Sequence, residues 1–278
     1  MATRGADGAA PIPVWLLVRG LSRSTAHWGE LPQALQAALR RQGQPEARVL
    51  GLDLPGNGRL WRERSPATIG AMTESLRTQW QDQQRALRAT LADRPLALHL
   101  LTLSMGGMVG LDWARRHPGE LSRLVLVNSS LSGLAPLHWR MRPSAWPTLL
   151  RLLALPVGDR ACERALHALT SREPASRREA TVAAWTALRQ AERVSRPNVL
   201  RQLVAAARYR VDGPKALAGL GLPVQVICSA GDALVDPRCS QRLAAALGTR
   251  PVCHPQAGHD LALDAPDWLI EQVTALAD

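Results

Sequence analysis

The segment LALHLLTLSMGGMVGLDWARR, residues 96–116, narrows the choice of fold more than any other part of the chain. Residues 96–103 run on without Gly, Pro or a charged residue, which predicts a central strand covered on both faces. A helical pattern follows over 105–116, and its second and third residues are Gly106 and Gly107. A strand that becomes a helix within one residue leaves Ser104 on a sharp corner with its hydroxyl projecting outward. It also needs small neighbours where the two backbones crowd together.

The same alternation runs through the flanking sequence. Strands are predicted at 14–18, 47–53 and 123–128, and helices at 31–42, stopping at Gly43, and at 68–91. The pattern changes after Asn128. Residues 131–218 show helical stretches (146–155, 160–171, 178–194 and 198–209) and no comparable strand. Strand character returns at 223–230 and 249–253, with helices at 238–247 and from Trp268 to Leu276. The expected fold class is α/β: a doubly wound, mostly parallel sheet whose core (1–130 and 219–278) is interrupted by a helical cap (131–218). The cap carries 15 Arg or Lys against 6 Asp or Glu, which is +9 of the chain's net +11.

Composition excludes several classes. With 46% hydrophobic and 21% charged residues the chain is neither disordered nor fibrous. The apolar runs are broken by Gly, Pro and Arg before they reach spanning length, so no membrane partner is expected. The first residues read as a short tail feeding strand 14–18 rather than a leader, since Arg19 and Gly20 follow the apolar run directly. A cytoplasmic location follows from that reading. Cys162, Cys228, Cys239 and Cys253 form no CxxC pair and no zinc-type spacing, and Cys228 and Cys253 are expected in core strands. Nine Trp stand beside one Tyr and no Phe, and Arg supplies every basic charge but Lys215. No compact Arg cluster interleaves with aromatics, which argues against nucleic acid.

A serine nucleophile needs a base within hydrogen-bond reach and a carboxylate to orient that base. His259, in the Gly-preceded loop PQAGHDLALDAP, and Asp232, directly after strand 223–230, complete the order Ser104, Asp232, His259. Asp236 is the rival acid. Asp260 adjoins the histidine too closely to orient it, and Asn128 cannot stabilise an imidazolium as a carboxylate does. His254, His99 and His117 read as structural or surface residues. The expected oxyanion donors are the backbone N–H groups of Met105 and Leu21, with Gly20 and Gly106 as supporting small residues.

Together, the segments VRGLSRSTAHW, LDLPGNGRL, LSMGGMVGLDWARRHP, AGDALVDP and AGHDLALDAP resemble the α/β-hydrolase superfamily, specifically its small esterase-like members with a helical cap. Three positions depart from the usual pattern. Thr102 replaces the first Gly of G-x-S-x-G, Arg19 stands where His usually precedes Gly20, and Asn57 occupies a position often held by His. The resemblance implies an acyl-enzyme on Ser104 and no cofactor or metal. It also implies a carboxylic ester or thioester substrate, with similarity to carboxylesterases acting on carrier-linked methyl esters.

The basic cap suits an acidic carrier such as acyl carrier protein or a coenzyme A thioester. Trp139, Trp146 and Trp185, with many leucines, either line an apolar acyl pocket or pack the cap. Two other readings stay open. One is carbon–carbon cleavage of a ring-fission diketone, with Arg19, Arg140 or Arg142 meeting a second carbonyl or carboxylate. The other is a non-catalytic binding protein on the same scaffold.

Overall fold

The computed structural model describes residues 10–91 and 94–275. The tail at 1–9 and the predicted helix end at Leu276 lie outside the described residues. Six strands form one sheet: β1 (Ile12–Val18), β2 (Arg48–Leu52), β3 (Leu96–Leu103), β4 (Arg123–Val127), β5 (Val224–Ser229) and β6 (Val252–His254). Their order is β2-β1-β3-β4-β5-β6 and every pairing is parallel. The direction of winding reverses between β1 and β3. The carboxyl ends of those two strands therefore diverge into a crevice, the usual place for a site in an open α/β sheet.

Alternation along each strand builds two cores. Val14, Leu16 and Val18 of β1, Leu98 and Leu100 of β3, and Leu124 and Leu126 of β4 face one side. There they meet α2 (Ile69–Thr90), α3 (Met105–Arg116) and α9 (Arg238–Ala246) through Met72, Leu76, Val109 and Leu243. The intervening Trp15, Leu17, Leu101, Leu103, Val125 and Val127 face α1 (Leu31–Arg41) and α11 (Pro266–Thr274). A period of two on a sheet covered on both faces requires nearly every residue to be apolar, as the sequence of β3 is.

Between β4 and β5 the chain forms α4 (Leu137–Arg140), α5 (Trp146–Ala154), α6 (Asp159–Thr170), α7 (Ala175–Ala191) and α8 (Arg196–Arg208). The short α10 (Leu261–Asp264) follows β6. Sequence periodicity missed α4 and α10, each a single turn. It started α7 three residues late, because Pro174 rather than a hydrophobic repeat marks the helix entry. Strand β1 begins earlier than expected: Pro13 pairs only with β3, before β2 joins at Val14, so its missing N–H costs no ladder bond. Strand β6 is shifted to 252–254, and Cys253 is exposed rather than in the core. Among the described residues no helix is long and apolar enough to cross a membrane.

Leu101 is fully buried at the centre of β3. Leu101→Ala is expected to lower unfolding free energy by about 2–5 kcal/mol. The check is the urea midpoint, which should fall with the slope unchanged.

Candidate active site

Ser104 sits at the β3–α3 corner with φ 59° and ψ −122°, a conformation that side-chain-bearing residues rarely adopt. The surroundings hold it there. Its N–H donates to Val127 O (2.9 Å), and its carbonyl accepts from Ser129 Oγ (2.9 Å) and Gly107 N (2.9 Å). The end of β1 presses directly on the corner. A Cβ on Gly106 would lie 2.5 Å from Val18 O, and one on Gly20 would lie 2.9 Å from Ser104 Cβ. Both positions therefore exclude a side chain.

The threonine at 102 is accommodated by its neighbours. Its hydroxyl donates to Val125 O (2.8 Å), and its methyl fills space left by Gly110, where a Cβ would come within 3.1 Å of it. A small residue one turn into α3 compensates for the missing small residue in β3.

His259 Nδ1 lies 2.7 Å from Asp232 Oδ2, with both side chains buried. The other carboxylate oxygen, Oδ1, accepts from the N–H groups of Leu234 (2.8 Å) and Val235 (2.9 Å), which fixes its plane. His259 and Ser104 both line a cavity of about 80 Å³. Among the described residues no hydrogen bond joins the Ser104 hydroxyl to the His259 ring. In an empty site such contacts are commonly long and tighten when substrate arrives. The backbone N–H groups of Leu21 and Met105 donate to no protein acceptor among the described residues. They border the same corner, and Met105 opens α3, where the helix dipole favours negative charge.

The competing residues are engaged elsewhere. Asp236 pairs with Arg238 (2.8 Å) and Arg142 (3.5 Å), and those charges hold its carboxyl below the usual carboxylate range. His254 Nδ1 accepts from Ala257 N (2.9 Å). His117 meets Glu74 (2.9 Å). His99 stacks near Trp15, and burial, aided by the Arg123 charge, pushes it down to about 4. Arg140 donates to Ala206 O (2.7 Å), which leaves Arg19 as the only one of the three arginines considered for a second carbonyl that lines the Ser104 cavity. Arg19 is itself bound to Asp260 through two hydrogen bonds (2.9 and 2.5 Å). This fork ties the loop after β1 to the loop that carries His259.

Three further residues support the site. The Asn128 side chain donates to His259 O (2.8 Å) and accepts from Ser229 N (2.9 Å), so it positions the histidine loop rather than the ring. Asp264 accepts from Gly258 N (2.6 Å) and Ser171 Oγ (2.6 Å), which joins that loop to the end of α6. Gln202 of α8 is wholly buried and accepts from Ser22 N (2.9 Å). The sequence did carry a signal for it: Asn198 and Gln202 stand four apart on the inward face of α8, while Leu200 and Val204 face out.

A larger chamber of about 380 Å³ adjoins the Ser104 cavity and shares Leu21, Ser22, Met141, Leu149 and Leu166 with it. Half of the residues in its wall are leucines, four of them from α5, and Arg189 and Arg196 also line it. Of the three cap tryptophans only Trp146 lines it. Trp185 packs beneath Arg23 (4.2 Å), and Trp139 beneath Arg238 (4.0 Å).

Residues 15–272 match the model of the Alpha/beta hydrolase family, and the chain belongs to that family. It is 30% identical over 275 residues to the pimeloyl-[acyl-carrier protein] methyl ester esterase of Aromatoleum aromaticum, covering 94% of this chain and 98% of that one. It is 28% identical over 260 residues to the "Putative carbamate hydrolase RutD" of Agrobacterium fabrum, with coverage of 93% and 90%. In three dimensions it resembles the enol-lactonase from Burkholderia xenovorans LB400, with a TM-score of 0.68 at 23% identity over 98% of this chain and 93% of that chain.

The Arg19–Asp260 pair has a measurable consequence. Burial alone would raise the Asp260 carboxyl, but the Arg19 charge and hydrogen bonds outweigh it and hold the group below the usual carboxylate range. A depressed folded pKa stabilises the fold above the ordinary carboxylate pKa, and that gain disappears as pH falls through the folded value. Arg19→Met strands a buried carboxylate and is expected to cost about 3–5 kcal/mol at pH 7. The gap to the parent protein should narrow as pH falls: first above about pH 4, where the unpaired Asp260 of the variant, raised by burial, takes up a proton, and further below it, where the parent loses its own gain. Denaturant titrations across pH measure both effects.

Proposed function

We propose that the protein hydrolyses carboxylic esters through an acyl-enzyme on Ser104. The observation that carries this reading is the buried 2.7 Å contact of His259 with Asp232, beside a cavity that His259 and the strained Ser104 corner both line. In this mechanism His259 Nε2 takes the Ser104 proton as Oγ forms a bond to the substrate carbonyl carbon. The electron pair moved onto the carbonyl oxygen is met by the Leu21 and Met105 N–H groups. Asp232 holds Nδ1–H and stabilises the imidazolium without taking its proton. Collapse of the intermediate expels the alcohol, which leaves with the proton from His259. A water, deprotonated by the same nitrogen, then releases the acid and restores Ser104.

The leucine-lined chamber favours an apolar acyl group, and its volume lies within the range of small-molecule sites. The same carbonyl chemistry would serve a carbamate, which the name of one relative mentions, but that chamber suits a chain better than a small polar group.

A carrier-linked ester is the finer reading that the cap favours. Residues 131–218, taken as one cap, hold a net +9, and Leu137 and Leu150 at the chamber wall are 59% and 63% exposed. An acidic carrier delivering an acyl chain would meet both features, in line with the carrier-protein ester named for one relative.

Ser104→Ala is expected to remove p-nitrophenyl ester turnover while circular dichroism stays unchanged; retained turnover would remove the nucleophile from the mechanism. Asp232→Asn should lower kcat by about 10⁴-fold, as loss of the orienting acid does elsewhere. Asp236→Asn, whose parent carboxylate serves two arginines, should change kcat by less than about threefold, and the reverse ranking would transfer the acid role. If the basic cap recruits a carrier, kcat/KM for an acyl-carrier ester should fall as salt is raised while that for a small neutral ester holds steady.

A further inference from the structure

Strands β5 and β6 lead into the two loops that carry Asp232 and His259. They run in register, and Cys228 pairs with Cys253 across the ladder. Paired residues of adjacent strands project to the same face, here the one on which Val226 meets Leu243 and Ala244 of α9. Adjacent strands lie about 4.8 Å apart, inside the Cα···Cα range that a disulfide spans. The ladder thus sets two thiols side by side.

The two differ in access. Cys228 is 1% exposed, whereas Cys253 is open to solvent on the terminal strand of the sheet. Burial, and after it the Cys253 thiol, pushes the Cys228 thiol up, so it holds its proton at neutral pH. A long contact with His254 O (3.8 Å) anchors the Cys253 thiol weakly. A buried thiol is simply a small hydrophobe, but an exposed one adds little to packing and stays open to oxidants. An accessible thiol backed by a protected one lets a second sulfur capture the first oxidation product. Cys162 and Cys239 are buried on helices α6 and α9, and burial raises both, Cys239 to about 12.

We propose that Cys228 and Cys253 form a modification site, which hydrogen peroxide closes to a reversible disulfide tying the root of the acid loop to that of the histidine loop. The Cys253 thiolate attacks one peroxide oxygen and the O–O bond breaks. This leaves a sulfenic acid on Cys253 and a hydroxide, which takes up the thiol proton as water. Cys228, giving up its own proton, then attacks the Cys253 sulfur; the S–S bond forms and the hydroxyl leaves with that proton as a second water. Two thiols and one peroxide become one disulfide and two waters, and two electrons pass from sulfur to oxygen.

Beyond the pair the two loops already touch. Ala230 N donates to His254 O (2.9 Å), and a Cβ on Gly231 would lie 2.4 Å from Gln256 O. A covalent bond at their root therefore resists opening of β6, a three-residue strand paired with β5. The proposal stands apart from the ester reading, since neither Ser104 nor turnover enters it.

The test treats the reduced, folded protein with a small excess of hydrogen peroxide, alkylates the remaining thiols and maps tryptic peptides without reduction. Arg238 and Arg242 let trypsin place Cys228, Cys239 and Cys253 on separate peptides. Expected is a joined pair carrying Cys228 and Cys253, two hydrogens lighter than the free peptides, with Cys162 and Cys239 alkylated. Dithiothreitol should restore both thiols. Hydrogen exchange at residues 252–257 should slow by about tenfold or more in the oxidised protein. In Cys228→Ser, oxidation should stop at a Cys253 sulfenic acid that dimedone captures.

The decisive reading is taken on the parent chain, so misfolding of the variant leaves it intact. Cys253 that ends as a sulfinic or sulfonic acid, or in a disulfide between two chains, without the 228–253 bond overturns the proposal. A cross-link to Cys239 in its place does the same. A 228–253 bond that leaves exchange at 252–257 unchanged overturns the hold on the two loops.

Discussion

The close approach of the β1 terminus to the β3–α3 corner governs the rest of the structure. Val18 O and Arg19 O lie where a side chain at 106 would project, and Gly20 lies against the Cβ of Ser104. Two backbones can come this near only where both lack side chains, and the parallel pairing of β1 with β3 brings them there. The reversal of winding between these strands opens the crevice, and the crowding turns Ser104 out into it. The strain at Ser104 is maintained by bonds from the end of β4 and from Ser129 just beyond it, which keep the corner in a conformation it would not adopt alone.

Around that corner the site is assembled from loops tied to one another rather than to solvent. Arg19 joins the loop after β1 to the histidine loop, Asn128 joins the end of β4 to both β5 and the histidine loop, and Asp264 joins that loop to the cap. Loops carrying a reactive constellation need such support, since small misplacements of the reacting groups are costly. The arginine at 19 is part of this framework. It stacks over Trp28 (4.8 Å) and shares its charge with Asp260, so its substitution for histidine supplies a strut within the cavity wall.

Strands β3 and β4 were legible in the sequence because burial on both faces leaves an apolar run with no other explanation. The short elements α4, α10 and β6 were not, since a single turn or three residues carry too little periodicity to be seen. Asp232 and His259 could be picked out because each follows a strand in a polar, turn-rich loop. Their separation from Asp236 depended on arginines at 142 and 238, whose approach to that carboxylate no local pattern reveals. Thr102 looked like a defect in the corner motif until Gly110 supplied the space for it, a compensation that spans a strand and a helix. The cap aromatics were legible as a group but not one by one, and only Trp146 reaches the chamber.

The proposed function turns on whether Ser104 is the residue that becomes acylated. The most direct measurement is peptide mapping by mass spectrometry after reaction with a fluorophosphonate at one equivalent. A single adduct is expected, on the peptide containing Ser104, formed at a rate that falls sharply in His259→Ala. An adduct on another serine, or labelling indifferent to His259, would contradict it.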